Sequence, residues 1–165
     1  MFFPIGWPRE LTTTDPDNIR AIVCNRDKIL FSILTRDALA IWYCKPCVPI
    51  VFSRRTQDCI EKYGENVLVR WKPDSSMLVV GTSDSYLLFY RLSDNSGENH
   101  GLYEQKDSPV TSLRRDSAEL FIKEVIPSLT LVFVMPVWID GGISSIVCIR
   151  DELMVATKTS HIVRQ

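Results

Sequence analysis

"VRWKPDSSMLVVGTSDSYLLFYRL", residues 69–92, carries three short apolar runs separated by two clusters of turn residues. The runs are rich in Val, Leu, Tyr and Phe, side chains that suit a pleated, half-buried surface. Pro73 and Asp74 mark the first corner: proline presets the backbone for a turn, and an aspartate accepts backbone N–H bonds there. Asp84 marks the second corner, where an aspartate also tolerates the positive φ of a tight hairpin. The stretch therefore reads as strand, turn, strand, turn, strand.

The same pattern recurs. "LFSILTRDALAIWY" (30–43) lies over "MLVVGTSDSYLLFY" (77–90) without a gap at a period of 47 residues, setting Thr35 on Thr82, Asp37 on Asp84, Trp42 on Phe89 and Tyr43 on Tyr90. Upstream, Arg26-Asp27 falls on Pro73-Asp74, and a third copy begins at "IVCIRDELMVATKTSHIV" (146–163), with Thr157 in the place of Thr82. A period in the forties with several short strands per unit is the mark of a WD40-type β-propeller, whose blades are four-stranded antiparallel sheets. The expected fold is all-β, a partial propeller of about two to three blades in an incomplete ring. Blade one is expected over about 19–53, blade two over about 67–135 with an exposed insertion at 93–128, and blade three begun over about 143–165.

Candidate strands are 29–34, 39–44, 48–53, 67–71, 77–82, 86–92, 129–134, 143–149 and 153–157, with one short helix within 116–126. Pro49 lies in the fourth strand of the first unit and Pro136 closes that of the second. Proline cannot donate to a ladder and keeps to edges and strand ends, as expected of an outermost blade strand.

Asp37 and Asp84 read as turn residues rather than catalytic acids. In complete blades of this kind an Asp, a hydroxyl residue, a His and a Trp form a hydrogen-bonded set. Thr35, Asp37 and Trp42 supply three members in the first unit, but no Gly-His pair matches, and Phe89 lacks an indole N–H. Thr35, Asp37, Trp42, Pro73, Asp74, Thr82, Asp84 and Phe89 are thus expected as structural residues of turns and strand ends. A glycine is expected where Ser85 stands, and "ATKTSH" lacks the Asp-Gly turn, which leaves the third unit the least regular.

"WYCKPC" (42–47) raises the competing reading of a thiol–disulfide enzyme. Such a site needs its first cysteine at a helix N-terminus, where the dipole stabilises the thiolate. "VPIVFS" follows instead and cannot begin that helix, so Cys44 and Cys47 read as hairpin thiols. Five cysteines without a secretory leader argue for reduced thiols. The two histidines, His100 and His161, show no paired spacing for zinc. Asp140-Gly141-Gly142 lacks the Lys and helix of a phosphate loop and reads as a turn. Residues 108–117 read as a solvated loop, with phosphorylation the weaker alternative. Trp7, Trp71 and Trp138 are expected in the core or between blades. No catalytic residue, metal or cofactor is expected.

Charge excludes other classes. Lys and Arg number 19 against 20 Asp and Glu, a net charge of −1 over 165 residues, so neither nucleic acid nor an anionic membrane is favoured as partner. With 45% hydrophobic residues a single domain of this length can bury roughly 70% of its unfolded surface. "MFFPIGWPREL" does not read as a signal peptide, and the apolar run 131–139 is too short to span a membrane and is broken by Pro136. A cytosolic protein is expected.

"GWPREL" (6–11), "LAIWYCKPCVPIV" (39–51), the 69–92 stretch and "DELMVATKTSHIV" (151–163) together resemble the N-terminal propeller of the RIC-one family. That family is the larger subunit of a two-subunit guanine nucleotide exchange factor for a Golgi Rab GTPase. The resemblance implies a non-catalytic scaffold. With a smaller arrestin-like subunit it would promote GDP release in retrograde traffic, in the cytoplasm and peripherally at Golgi membranes. The alternative is a WD40 interaction module of another cytosolic complex. Family members are much longer, and residues 1–165 alone are expected to be marginally stable or prone to aggregate, because a partial ring exposes faces and edges. "MFFPIGWP" (1–8) is a candidate for the outermost strand of a closing blade.

Overall fold

The computed structural model describes residues 19–45, 47–94, 103–104 and 129–164. Twelve strands and one helix follow in order. β1 (Ile19–Cys24), β2 (Leu30–Thr35), β3 (Ala38–Tyr43) and β4 (Val48–Arg55) precede α1 (Gln57–Tyr63). Then come β5 (Asn66–Trp71), β6 (Met77–Thr82), β7 (Tyr86–Asp94), β8 (Tyr103–Glu104), β9 (Leu129–Trp138), β10 (Ile143–Ile149), β11 (Glu152–Thr157) and β12 (Ile162–Arg164). They form three antiparallel sheets, ordered β1-β2-β3-β4-β8, β5-β6-β7-β9 and β10-β11-β12. These are the blades of an open WD40-type propeller.

Each sheet begins with the same local device. Thr35, Thr82 and Thr157 pair with Ile19, Asn66 and Ile143, and a register shift follows on the first strand in all three sheets. Such a bulge increases local twist and lets a first strand turn toward the axis. All three threonines are buried, and each hydroxyl accepts a backbone N–H from across the next turn: Ala38 at 3.0 Å, Tyr86 at 3.1 Å and His161 at 3.0 Å.

Between sheets, apolar faces meet in two clusters. One joins Leu34, Leu39 and Ile41 of the first sheet to Val69, Val80, Leu88 and Tyr90 of the second, with Cys59 and Tyr63 of α1. The other joins Val79 and Leu87 to Ile143, Ile146, Leu153 and Val155 of the third. Polar ties fix the spacing. The Trp71 indole donates to Val23 O at 3.0 Å, Asn66 N to Arg36 O at 2.8 Å, and Arg70 Nε to Ile146 O at 3.1 Å.

Several expectations need correction. After the second turn the ungapped overlay slips by one residue. Trp42 faces Phe31 on β2, the place 47 residues before Leu78, but Leu78 faces Tyr90; Phe89 faces Val79. The outer bulges agree, falling between Ile41 and Trp42 and between Phe89 and Tyr90. The cause is Ser85, an extra turn residue that the first unit lacks. Tyr90, 2% exposed, therefore takes the place of Trp42, and Phe89 does not.

β4 is not wholly an edge, because β8 pairs with it at Arg54 and Arg55, while Pro49 lies at the other end opposite Trp42. Pro136 sits inside β9, opposite Leu88, rather than closing it. The insertion is narrower than expected, since Ser93 and Asp94 continue β7 and residues 103–104 form β8. Trp138 is not core but 58% exposed at the end of β9, whereas Trp71 is buried. The helix expected within 116–126 lies outside the described residues, while α1 was not expected at all.

Candidate interaction surface

Thr35, Asp37 and Asp84 make local contacts in their turns. Thr35 Oγ1 lies 3.2 Å from Asp37 Oδ1, and Asp37 Oδ2 lies 3.4 Å from Arg54 Nε, an ion pair without hydrogen-bond geometry. Trp42 is buried and stacks on Phe31, with ring centroids 6.1 Å apart, and reaches neither Thr35 nor Asp37. Asp84 accepts from the Ser83 hydroxyl at 3.0 Å.

The positive φ of that turn belongs not to Asp84 but to Ser85, at 68°, where glycine was expected. Ser75 and Ser160 take the same conformation, each at 64°, closing turns onto Lys72 O and Thr157 O. The third unit thus makes its turn without Asp-Gly. Thr159 stands where the aspartate would, 3.0 Å from Thr157 Oγ1 and 3.2 Å from His161 Nδ1.

Pro73 and Asp74 make a turn whose carboxylate is strongly held. Ser76 donates to Asp74 Oδ1 from its hydroxyl at 2.6 Å and its amide at 2.9 Å, and Lys72 Nζ lies 2.9 Å from Oδ2. Those Ser76 bonds, then Lys72, lower the Asp74 pKa to about 2. Lys72 also reaches Asp151 of the third sheet at 3.2 Å, and the bonds to Asp74 and Asp151 raise its own pKa.

Cys44 and Cys47 are half-buried free thiols flanking the β3–β4 hairpin, the Cys44 amide bonded to Ile29 O at 2.8 Å. Burial pushes the Cys44 thiol up, and the neighbouring Cys24 and Cys47 thiols push it further. That is the reverse of an activated nucleophile. Burial also raises Cys148. Among the described residues no three His, Cys, Asp or Glu side chains converge to hold a metal, and no helix is long and apolar enough to cross a membrane. Gly141 and Gly142 have φ of 84° and 73°, and both carbonyls accept from Lys158 N, so this stretch is a turn. Trp7, His100 and the 108–117 loop lie outside the described residues.

Sequence reasoning missed Arg55. It is 4% exposed, yet it donates to Gly64 O at 2.7 Å, Asn66 Oδ1 at 2.9 Å, Cys59 O at 2.8 Å and Cys59 Sγ at 3.3 Å. Asn66, also buried, passes the link to Thr35 O at 3.2 Å. One guanidinium thereby joins β4, α1 and β5 across the first blade junction.

At one end of the sheets, β1, β5 and β10 finish around a recess of about 460 Å3, lined by Arg26, Arg70, Lys72, Arg150, Trp71 and Cys148 among others. A second cleft of about 310 Å3 adjoins it between the second and third sheets, with Met77, Phe89, Met135 and Leu153 in its wall. The two hollows offer concave surface, cationic side chains and apolar contact, features that suit binding.

No family model matches the chain. Over 160 residues, 95% of its length, it is 26% identical to the guanine nucleotide exchange factor subunit RIC1 of Homo sapiens and, equally, to that of Mus musculus. It is 30% identical over 162 residues, 94% of the chain, to the guanine nucleotide exchange factor subunit R06F6.8 of Caenorhabditis elegans. The chain spans 11% of the length of each of these relatives. Among solved structures, the WD40 domain of SCAP from fission yeast superposes with a TM-score of 0.58 at 12% identity, covering 90% of this chain and 29% of that one. That likeness shows the WD40 fold, and the chain is similar to the RIC-one proteins along nearly its whole length, as its motifs imply.

Proposed function

We propose that this chain is a non-catalytic scaffold portion of a guanine nucleotide exchange factor subunit. With a smaller arrestin-like partner subunit, it promotes GDP release from a Golgi Rab GTPase in retrograde vesicle traffic. The observation that carries this reading is similarity over 94–95% of the chain to proteins named as exchange factor subunits in mammals and a nematode. Nucleotide exchange works by binding a GTPase and distorting its nucleotide site, which requires surface complementarity and no nucleophile of the exchange factor's own. A propeller whose turns are held by buried hydroxyls and whose junctions are tied by Arg55 and Trp71 suits a rigid scaffold. The proposed location is the cytoplasmic face of Golgi membranes, reached through the assembled complex.

The test is release of fluorescent GDP from the Golgi Rab, with the full-length gene product added alone and with its partner subunit. Acceleration by the pair and not by either subunit alone is the expected result. No acceleration by a folded, verified complex would leave a WD40 interaction module serving another assembly.

A further inference from the structure

The recess at the ends of β1, β5 and β10 has unbalanced charge. Lys72 pairs with two carboxylates, Asp74 at 2.9 Å and Asp151 at 3.2 Å, and Glu152 of the adjoining cleft pairs with Arg164. Among the described residues, Arg26, Arg70 and Arg150 have no carboxylate within ion-pair distance. Arg70 is nevertheless fixed, donating from Nε to Ile146 O at 3.1 Å and from Nη1 to Val69 O at 2.9 Å. Three arginines, one from each blade, therefore line one hollow together with Trp71 and Ile149.

The second cleft shares Lys72, Cys148 and Arg150 with this recess, so the two adjoin. Its wall is mainly apolar and adaptable, and its two carboxylates, Asp151 and Glu152, are paired with Lys72 and Arg164. Met77 and Met135 are unbranched side chains that reshape around a guest, Met135 is 48% exposed, and Phe89 and Leu153 line the same cleft.

We propose that the two hollows form one docking site for a short acidic protein segment, whose carboxylates pair with Arg26, Arg70 and Arg150 and whose bulky apolar side chain enters the methionine-lined cleft. Arginine suits this role because its planar fork meets a carboxylate through two parallel bonds. A nucleic acid fits less well: the chain has a net charge of −1 and no field to gather a polyanion. A bilayer is too flat to enter a recess that lies between blades. The mixed character, cations beside an apolar cleft, matches a peptide that alternates acidic and apolar side chains.

The test is fluorescence anisotropy with the full-length protein and a labelled peptide, Glu-Asp-Glu-Leu-Phe-Glu-Asp. A second peptide carries Gly-Ser in place of Leu-Phe, and heparin serves as a polyanion control. Binding of the first peptide should weaken as salt rises. Arg26→Ala combined with Arg150→Asn should weaken it at least about tenfold, since each removes a charge-assisted bond. Asparagine is chosen because Arg150 has a φ of 56°, which Asn tolerates. Met135→Ser should weaken the Leu-Phe peptide and leave the Gly-Ser peptide unchanged, an independent readout if the arginine variant unfolds. Arg36→Ala, in a turn at the opposite end of the first sheet, should change nothing. The proposal is overturned by absence of binding, by equal affinity for both peptides, by an equal loss in Arg36→Ala, or by heparin binding as well as the peptide and surviving the arginine substitutions.

Discussion

Arg55 places a full charge where water does not reach, and its four acceptors are carbonyls, an amide oxygen and a thiol. A buried ion costs several kcal/mol unless its donors find acceptors. Here the fork geometry meets four of the five N–H donors, one more bond than the three donors of a lysine ammonium can make. Arg55→Lys should therefore lose about 2–3 kcal/mol, seen as a lower urea midpoint at unchanged slope. A smaller gain is expected from Ser85→Gly, about 0.5–1 kcal/mol, because an L-residue at φ 68° bears a strain that glycine lacks. A lower midpoint for that variant would mean the Ser85 side chain contributes more than its backbone costs. These residues were unequally legible in the sequence. Arg55 is in phase with Val51 and Ser53 on the buried face of β4, a period-2 signal that was present but is masked by the habit of placing arginine outside. The pairing of Trp42 with Phe89 failed because one extra turn residue shifts everything after it, and an ungapped overlay is blind to that.

At the scale of elements, α1 shows how a short helix is specified by its ends. Thr56 caps it, accepting from Cys59 N at 3.3 Å, with Asp58 in the first turn, Lys62 in the last and Gly64 beyond. Thr56→Ala should cost about 1 kcal/mol. Gly64→Ala should cost more, about 3 kcal/mol. Its φ is 81°, and an added Cβ would stand 2.7 Å from Asp84 N, so the turn of the next sheet would have to move. Thermal unfolding of the two variants should rank them in that order. All four end signals were in the sequence, but the apolar pattern between them is under two turns long and merges with the strands on either side. The Lys72–Ser76 turn gives a pH prediction. Its Asp74 pKa is lowered from 3.8 to about 2, so the turn's contribution is complete above about pH 4 and is lost as pH falls toward 2. Because the side chain is 51% exposed, the effect is small. Asp74→Asn should flatten the acid limb of a stability–pH curve between those values; an unchanged limb would show that other carboxylates govern it.

At the scale of the molecule, one position compares all three blades. Ile22 pairs with Ile33, Val69 with Val80 and Ile146 with Val155, so the three occupy the same place on their first strands. Val69 is 0% and Ile146 1% exposed, each covered by the preceding sheet, whereas Ile22 is 59% exposed. At the other end, Val147 and Ile149 on β10 are each 49% exposed and Ile162 on β12 is 70% exposed. The 47-residue repeat made the blades legible in the sequence. It did not say which blade faces would be covered, because burial here belongs to the neighbour and not to the strand. Two consequences follow from apolar faces left open at both ends of a stack whose units bury their surfaces only against each other. Val69→Ala should cost about 2 kcal/mol and Ile22→Ala under about 0.5 kcal/mol in the 165-residue chain, although the positions are equivalent. The same chain should self-associate as its concentration rises, and Ile22→Lys with Val147→Lys should shift it toward monomer in sedimentation velocity without lowering its thermal midpoint. A wild-type chain that stays monomeric at about 100 μM, a concentration where exposed faces and strand edges usually find each other, would mean that Ile22 and Val147 are not the surfaces through which these blades seek neighbours.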